Sequence, residues 1–146
     1  MTGVKCKISG SIVGLLCIVS LGFYVMRQSS LPNFTVGKRG YHLAVASTQE
    51  ARQKGLGGRA DMKENEGMLF VFDAPDAACF WMKNMHFSLD MIWLDADKRV
   101  VHIEQNVSPE TFPKSFCPGK PAKYVVELKA GEARRSHVVL GQKLAF

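Results

Sequence analysis

The chain has 146 residues, of which 47% are apolar and 22% are charged, so its length suits one domain and its composition excludes a disordered protein. The formal charge is +6, but Lys5, Lys7 and Arg27 flank an apolar N-terminal segment and the other charges are interspersed. Nucleic-acid binding requires a clustered basic face with aromatic residues between the charges, so we expect no nucleic-acid partner.

The N-terminal segment is a candidate membrane span, since residues 8–26 are uncharged and mostly apolar. A helix of this length, at about 1.5 Å per residue, would reach roughly 28 Å and cross the core of a bilayer. We predict a transmembrane signal anchor over residues 1–27, because the apolar run is longer than the core of a cleaved signal peptide usually is. A cleaved signal peptide stays open as the alternative. Both place the rest of the chain outside the cytoplasm, either on the cell membrane or secreted, after a short linker at residues 28–33.

The first part of the domain is predicted to contain two strands and a short helix. The strands are at residues 34–38 and 41–47, and Ser47 and Glu50 then form a capping box that predicts the start of a helix. The helix must be short, because the glycines at residues 55–58 end it.

The second part is predicted to be strands and loops. A continuous apolar run at residues 67–72 and the next segment, residues 79–84, are predicted strands. Residues 89–95 and 99–104 flank a turn and are predicted to form a hairpin. The prolines of residues 106–120 exclude a central strand there and predict a long loop.

The chain then has a predicted strand at residues 124–128, a helical turn at residues 131–137 and two short strand-like pieces at the C-terminus. Many short strands and one or two brief helices predict a mainly β, compact antiparallel sandwich or barrel-like domain over residues 34–146. Cys79 and Cys117 belong to this domain. Outside the cytoplasm they are free to pair as a disulfide, and two buried free thiols are the alternative.

Several motifs follow one another in a defined order along this domain. Gly55-Leu56 precedes Arg59, and GMLFVF occupies residues 67–72. FWMKN at residues 80–84 precedes Leu89-Asp90, and YVVEL at residues 124–128 precedes Gly131 and Gly141. This combination resembles the domain of unknown function family 192.

The resemblance implies a compact, mainly β, sandwich-like domain that is often exported, and it implies no named reaction. The chain departs from the family pattern at Met85, where members commonly carry Thr, and at Ser88, where they commonly carry Pro. These departures bear on any site that would use the Thr hydroxyl.

The stretch FWMKNMHFSLD, residues 80–90, is the best candidate for a polar site, and we interpret it as a central strand and its exit. In an extended chain the side chains alternate, which would place Met85, Phe87 and Leu89 on one face and the polar residues on the other. Asn and Asp are poor strand formers, so Asn84 and Asp90 require a compensating role.

We therefore predict a binding or accessory module for a small ligand or a component of the cell envelope. Trp81 would provide an aromatic wall, as small-molecule sites usually combine apolar surface with a few polar groups. The other candidate ligand-binding residues are Arg59, Lys83, Asn84, Asp90 and Glu127. Asp90 has a structural alternative, since it could accept backbone N–H groups and pin a turn.

Two further functions compete with this interpretation. A hydrolase would use Asp90 and Glu127 as an acid/base pair, although Glu127 could instead pair with Lys83 or Arg59. The sequence contains no nucleophile elbow, phosphate-binding loop or zinc-protease motif, and we predict no cofactor. A copper site would use soft ligands, although methionine more often fills a core. The candidate soft ligands are Cys79, Met82, Met85, His86 and Met91.

Overall fold

The computed structural model describes residues 33–146. The predicted signal anchor at residues 1–27 and nearly all of the linker that follows it lie outside the described residues. Within residues 33–146, no helix has both the length and the apolar character needed to cross a membrane.

The described part of the chain is built mainly from strands, as predicted. The strands are β1 (Asn33–Val36), β2 (Arg39–Ala46), β3 (Glu66–Asp76), β4 (Phe80–Trp81), β5 (Leu89–Leu94), β6 (Val100–Val107), β7 (Ser115–Phe116) and β8 (Ala122–Lys129). The helices are α1 (Gln49–Lys54), a single 3₁₀ turn (Pro109–Thr111) and α2 (Glu132–Arg135). Both predicted helical segments are therefore present.

Six strands form one sheet in the order β1-β2-β3-β8-β5-β6, which curls into a half barrel, and β4 and β7 form a separate two-stranded sheet. The prediction of an antiparallel sandwich or barrel-like domain is wrong at one place, because β2 and β3 pair in parallel. The reason is the connection between them, which carries α1 over the sheet and returns the chain in the same direction.

Apolar side chains pack on both faces of the large sheet. Every residue of β5 is buried, which explains its nearly continuous apolar sequence. One face packs Leu43, Leu69 and Val126 beneath α2, and the opposite face packs Met68, Phe70 and other residues. This second face meets Leu56 from the loop after α1, Met82 after β4, and Phe116 from β7.

The predicted hairpin of β5 and β6 and the predicted helix α1 are confirmed, but the cap of α1 lies one residue later than predicted. β5 and β6 pair in antiparallel fashion, and Asp95 Oδ1 accepts the backbone N–H groups of Asp97 and Arg99 at 2.9 Å in the turn. The cap of α1 is Thr48 rather than Ser47, because the Thr48 Oγ1 accepts the Ala51 N–H at 3.2 Å. The helix ends at Gly55, whose positive φ of 49° suits glycine.

The interpretation of residues 80–90 as a central strand is wrong. β4 contains two residues and belongs to the small sheet, and a turn follows in which Met85 N–H bonds to Met82 O at 3.2 Å. Asn84 occupies this turn with a φ of 59°, a left-handed conformation that Asn tolerates better than most residues. The poor strand propensity of Asn84 predicted a compensating role for this residue. The left-handed backbone conformation of Asn84 in this turn is that role.

The predicted strand-like pieces at the C-terminus form isolated bridges rather than strands. Thr35 pairs with Ala145, and Arg99 pairs with Lys143.

Candidate functional site

A surface cavity of about 250 Å³ lies between α1, β4 and the large sheet, and we call it the α1 cleft. Its floor comes from β3 and β8, through Phe70, Phe72 and Glu127. One wall is α1 with the glycine loop that follows it, and the other wall is the segment from Ala78 to Trp81. The cleft therefore joins elements that are distant in the sequence.

Glu127 is the polar group on the floor of this cleft. In register it lies between Met68 of β3 and Met91 of β5, so its side chain points to the apolar face that those residues share. Its exposed fraction is 4%, and it forms no hydrogen bond or ion pair with any residue from 33 to 146. Burial raises the pKa of the Glu127 carboxyl to about 8, because the surroundings disfavour its charged form.

The Glu127 carboxyl retains an opening to the cleft. Among the described residues, no fully enclosed side-chain oxygen or nitrogen lacks a hydrogen-bond partner. Glu127 lies on the lining of the α1 cleft, which opens to the surface, so the cleft gives its carboxyl a path to solvent.

The other buried carboxylates of the domain are both satisfied by protein groups. Asp90 accepts two backbone N–H groups, from Asn106 and Ala133, each at 2.8 Å. Glu132 accepts the Tyr41 hydroxyl at 2.7 Å and contacts Arg135. Burial opposes the charge on Glu132, but the bonds from Tyr41 and Arg135 hold its pKa below the usual value. Glu127 therefore differs from Asp90 and Glu132, because it has no hydrogen-bond partner among residues 33–146.

Aromatic rings form a rigid wall beside Glu127. The ring of Phe80 packs edge-to-face against Phe70, Phe72 and Trp93, with centroid distances of 4.9, 6.5 and 5.8 Å. Trp93 Nε1–H donates to the Ala78 carbonyl at 3.1 Å, which fixes the start of this wall. The next residue along β4 projects outward, since 56% of the Trp81 side chain is exposed at the mouth of the cleft.

A disulfide between Cys79 and Cys117 joins the aromatic wall to the proline-containing loop. Cys79 lines the cleft directly before Phe80. The bond lies beside the pairing of β4 with β7, so it ties the short strand that carries Trp81 to the opposite strand.

Cationic side chains surround the mouth of the cleft. Arg52 is held in place, since its Nη1 donates to the carbonyls of Ser47 and Val71 at 2.7 and 2.8 Å. Its guanidinium also lies 5.3 Å from the ring centre of Phe72. Lys54 and Lys83 are exposed and form no ion pair within residues 33–146. These two ammonium groups are therefore free to meet a ligand.

Glycine allows the two lysine-bearing segments to approach each other. The Gly58 N–H donates to Asn84 O at 2.9 Å, which joins the glycine loop to the turn that holds Lys83. A Cβ atom at Gly57 would lie 3.1 Å from Lys54 O and 3.5 Å from Lys83 O. A larger residue at position 57 would crowd the Lys54 carbonyl and only touch the Lys83 carbonyl.

Three of the predicted ligand-binding residues meet in the α1 cleft, namely Trp81, Lys83 and Glu127. Asn84 is adjacent, in a neighbouring cavity that it lines together with Trp81 and Lys83. Arg59 is exposed in a separate groove next to the cleft, so it does not reach Glu127. The alternative ion pair of Glu127 with Lys83 or Arg59 is absent from the described residues.

Asp90 does not belong to this site. Met91 lies opposite Glu127 in the sheet, and side chains alternate along β5, so Asp90 points to the other face. Its two bonds pin the end of β6 and the first turn of α2, which is the structural role that the sequence left open. The proposed acid/base pair of Asp90 and Glu127 is therefore wrong, because the sheet separates the two carboxyl groups.

The five candidate copper ligands do not converge on one site in the described residues. Cys79 lacks a free thiolate because it is disulfide-bonded, and Met82 and Met91 are core residues. Met85 lines the cleft, whereas His86 is exposed outside it. Within the described part of the chain, no three His, Cys, Asp or Glu side chains are grouped as a metal site would need.

The sequence analysis missed the contribution of α1. Gln49 and Gln53 line the cleft together with Arg52 and Lys54. The spacing of the two glutamines, four residues apart, places them on one face of the helix and is a signal that could have identified them. The aromatic floor residues Phe70 and Phe72 were predicted only as members of a buried strand.

Residues 33–146 match the family model DUF192, described as an uncharacterised ACR, and the chain belongs to this domain of unknown function family 192. The resemblance that the motifs indicated is confirmed. No curated protein matches the chain.

Two solved structures are similar. A candidate transcription regulator from Sinorhizobium meliloti 1021 is 29% identical with a TM-score of 0.71, over 77% of this chain and 88% of that one. A protein of unknown function from Novosphingobium aromaticivorans DSM 12444 is 30% identical with a TM-score of 0.71, over 78% of this chain and 82% of that one.

Proposed function

We propose that this domain is a binding module that holds a small ligand in the α1 cleft. The observation that carries the proposal is Glu127, a residue that is only 4% exposed, lines the cleft and has no partner among residues 33–146. An unpaired buried polar group lowers the stability of the fold, and a ligand that completes its hydrogen bonds would remove that cost. The two other buried carboxylates show that this fold can satisfy such groups internally.

The walls of the cleft support the same conclusion. Small-molecule sites usually combine aromatic or apolar surface with a few convergent polar groups. Here the aromatic surface comes from Phe72, Phe80 and Trp81, and polar groups come from Lys83 and Glu127. The cavity of about 250 Å³ lies just below the usual range of about 300–1,000 Å³, which favours a compact ligand.

The location of the module is part of the proposal. Residues 8–26 would anchor the chain in the cell membrane and leave the binding domain on the extracytoplasmic side, with a cleaved signal peptide as the alternative. The disulfide between Cys79 and Cys117 is consistent with this location, because disulfides form and persist in oxidising compartments outside the cytoplasm. A ligand-binding module would also suit a regulator, as the Sinorhizobium relative is described, although the interspersed charges of the sequence predict no DNA-binding face.

A thermal-shift screen of the full chain in lipid nanodiscs tests the binding function. The panel would contain sugars, amino acids, short peptides and small organic acids and amines. A ligand that binds only the folded state stabilises it by about 2.7 kcal/mol at 100 times its dissociation constant. We expect at least one compound to raise the melting temperature of the wild type and to lose this effect in Trp81→Ala.

Phe112→Ala is the matched control, because Phe112 is also an exposed aromatic residue but lies outside the cleft. A stabilising compound that acts equally on wild type, Trp81→Ala and Glu127→Leu would show that the α1 cleft is not the binding site.

Protease protection of the domain in intact cells tests its location, and digestion only after cell lysis would contradict an extracytoplasmic position.

A further inference from the structure

The charges around the α1 cleft indicate the class of ligand, an inference that rests on the proposed function. We infer that the cleft takes a small organic carboxylate whose apolar body packs on the aromatic wall and whose inner end carries a hydrogen-bond acceptor for Glu127. The carboxylate would remain at the mouth, near Lys54 and Lys83.

The first support is the sign of the charges that line the cleft. Arg52 and Lys54 come from α1, and Lys83 comes from the turn after β4. Glu127 is the one acidic residue on the lining, and Asp73 lies nearby but is paired with Arg52 at 3.8 Å. The lining is therefore cationic whether or not Glu127 is ionised, which favours an anion over an amine.

The second support is the chemistry of the floor. The residues that flank Glu127 on β3 and β5 are methionines, and the ring of Phe80 lies on the wall beside it. On this face Lys129 of β8 is paired with Asp61, and burial alone is the cause of the raised pKa of Glu127. In such surroundings the carboxyl holds its proton near neutral pH and donates a hydrogen bond, as its raised pKa of about 8 indicates. An inner carbonyl or similar oxygen of the ligand would accept that bond.

The third support is the division of the cleft along its depth. Free ammonium groups lie at the exposed rim, the aromatic rings lie below them, and the protonated acid lies at the buried end. A molecule with its charge at one end and a neutral acceptor at the other matches this order of groups. A polyhydroxylated sugar would leave the apolar floor beside Phe70 and Phe72 poorly matched.

The test uses sets of compounds that differ at one group. The first set is 4-acetylbenzoate, 4-acetylbenzamide and 4-acetylbenzylamine, and further aryl and alkyl keto acids are each paired with their amide and amine. Binding to the full chain in nanodiscs would be measured by calorimetry and by Trp fluorescence. We expect carboxylates to bind at least about tenfold more tightly than their amides, and amines to bind weakest, because each lysine contact is charge-assisted.

Two variants separate the roles of the rim and the floor. In the double variant Lys54→Gln/Lys83→Gln, carboxylates should lose their preference over amides, whereas Lys38→Gln, which alters an exposed lysine outside the cleft, should keep it. In Glu127→Gln, an amide donor replaces the protonated acid, so binding should persist. Wild-type affinity should fall about tenfold between pH 7 and pH 9 as Glu127 ionises, and this fall should be absent in Glu127→Gln.

The possible outcomes distinguish failure of the carboxylate inference from failure of the proposed binding function. Amines or amides that bind as tightly as the carboxylates would overturn the inference and leave the binding function in place. If the affinity of Glu127→Gln keeps the wild-type pH dependence, the inference is likewise overturned and the binding function stays in place. If no member of the carboxylate, amide, amine and sugar series binds in the cleft, both proposals fail.

Discussion

Glu127 makes the stability of the domain depend on pH in an unusual direction. The carboxyl has a reference pKa of 4.5 in the unfolded chain, and burial raises it to about 8 in the folded protein. Between these values the unfolded state releases a proton that the folded state retains. The contribution of this group to stability is therefore complete below pH 4.5 and is lost as pH rises towards 8.

The size of the effect follows from the two pKa values. One pKa unit corresponds to about 1.4 kcal/mol, so the free energy of unfolding should fall by up to about 1.4 kcal/mol for each pH unit in this window. The full difference has an upper limit of about 5 kcal/mol, and water that enters the cleft reduces it.

Glu127→Gln isolates this contribution, because glutamine has nearly the same shape and does not ionise. The free energy of unfolding would be measured by denaturant titration of the full chain in nonionic detergent at several pH values from 5 to 8.5. At pH 5 the variant and the wild type should have similar stability, and at pH 8 the variant should be more stable by several kcal/mol.

Glu110→Gln provides the control, since Glu110 is an exposed glutamate that does not line the cleft, and its curve should follow the wild type. The difference between wild type and Glu127→Gln should grow steadily with pH. A difference that stays constant from pH 5 to 8.5 would refute the assignment of Glu127 as a buried, unpaired acid.

Four further predictions concern the groups that stabilise the fold. Asp90→Ala leaves the N–H groups of Asn106 and Ala133 without an acceptor and should lower the free energy of unfolding by about 2–5 kcal/mol. Asp95→Ala in the exposed turn should cost about 1 kcal/mol, and equal costs would contradict the structural role of Asp90. Reduction of the disulfide, whose cysteines are 38 residues apart, should lower stability by about 4 kcal/mol, and an unchanged denaturation midpoint with dithiothreitol would argue against it. Tyr41→Phe removes the 2.7 Å bond to Glu132 and should cost about 2 kcal/mol. Because the pKa of Glu132 is lowered, the contribution of this carboxylate to the free energy of unfolding is lost as pH falls. In a plot of the free energy of unfolding against pH, Glu132→Gln should therefore flatten the acid limb and leave the alkaline limb unchanged.

Local sequence patterns predicted most of the strands correctly. The run at residues 67–72 became part of β3, and residues 89–95 and 99–104 became the β5–β6 hairpin. These segments are buried on both faces or joined by a short turn, so their apolar character and their boundaries are visible without knowledge of their neighbours. The short helix and its glycine stop were visible for the same reason.

The same patterns failed at residues 80–90, where large apolar residues occur in a turn rather than in a strand. Trp81 is exposed and Met82 is buried, although they are adjacent in the chain. Their environments depend on the pairing of β4 with β7 and on the glycine loop against which Asn84 lies. The parallel pairing of β2 with β3 was missed because it depends on the path of α1 over the sheet.

The candidate site shows most clearly what each level of information can decide. The sequence by itself determined the family, the mainly β composition, and the presence of Trp81, Lys83 and two carboxylates within apolar strands. It could not distinguish Asp90 from Glu127, because both are acidic residues between large apolar neighbours. Only the register of β5 against β8 placed them on opposite faces, so that backbone N–H groups satisfy Asp90 while Glu127 faces an open cleft. The role of a buried charge depends on which groups the fold brings within hydrogen-bonding distance, and those groups come from distant parts of the chain.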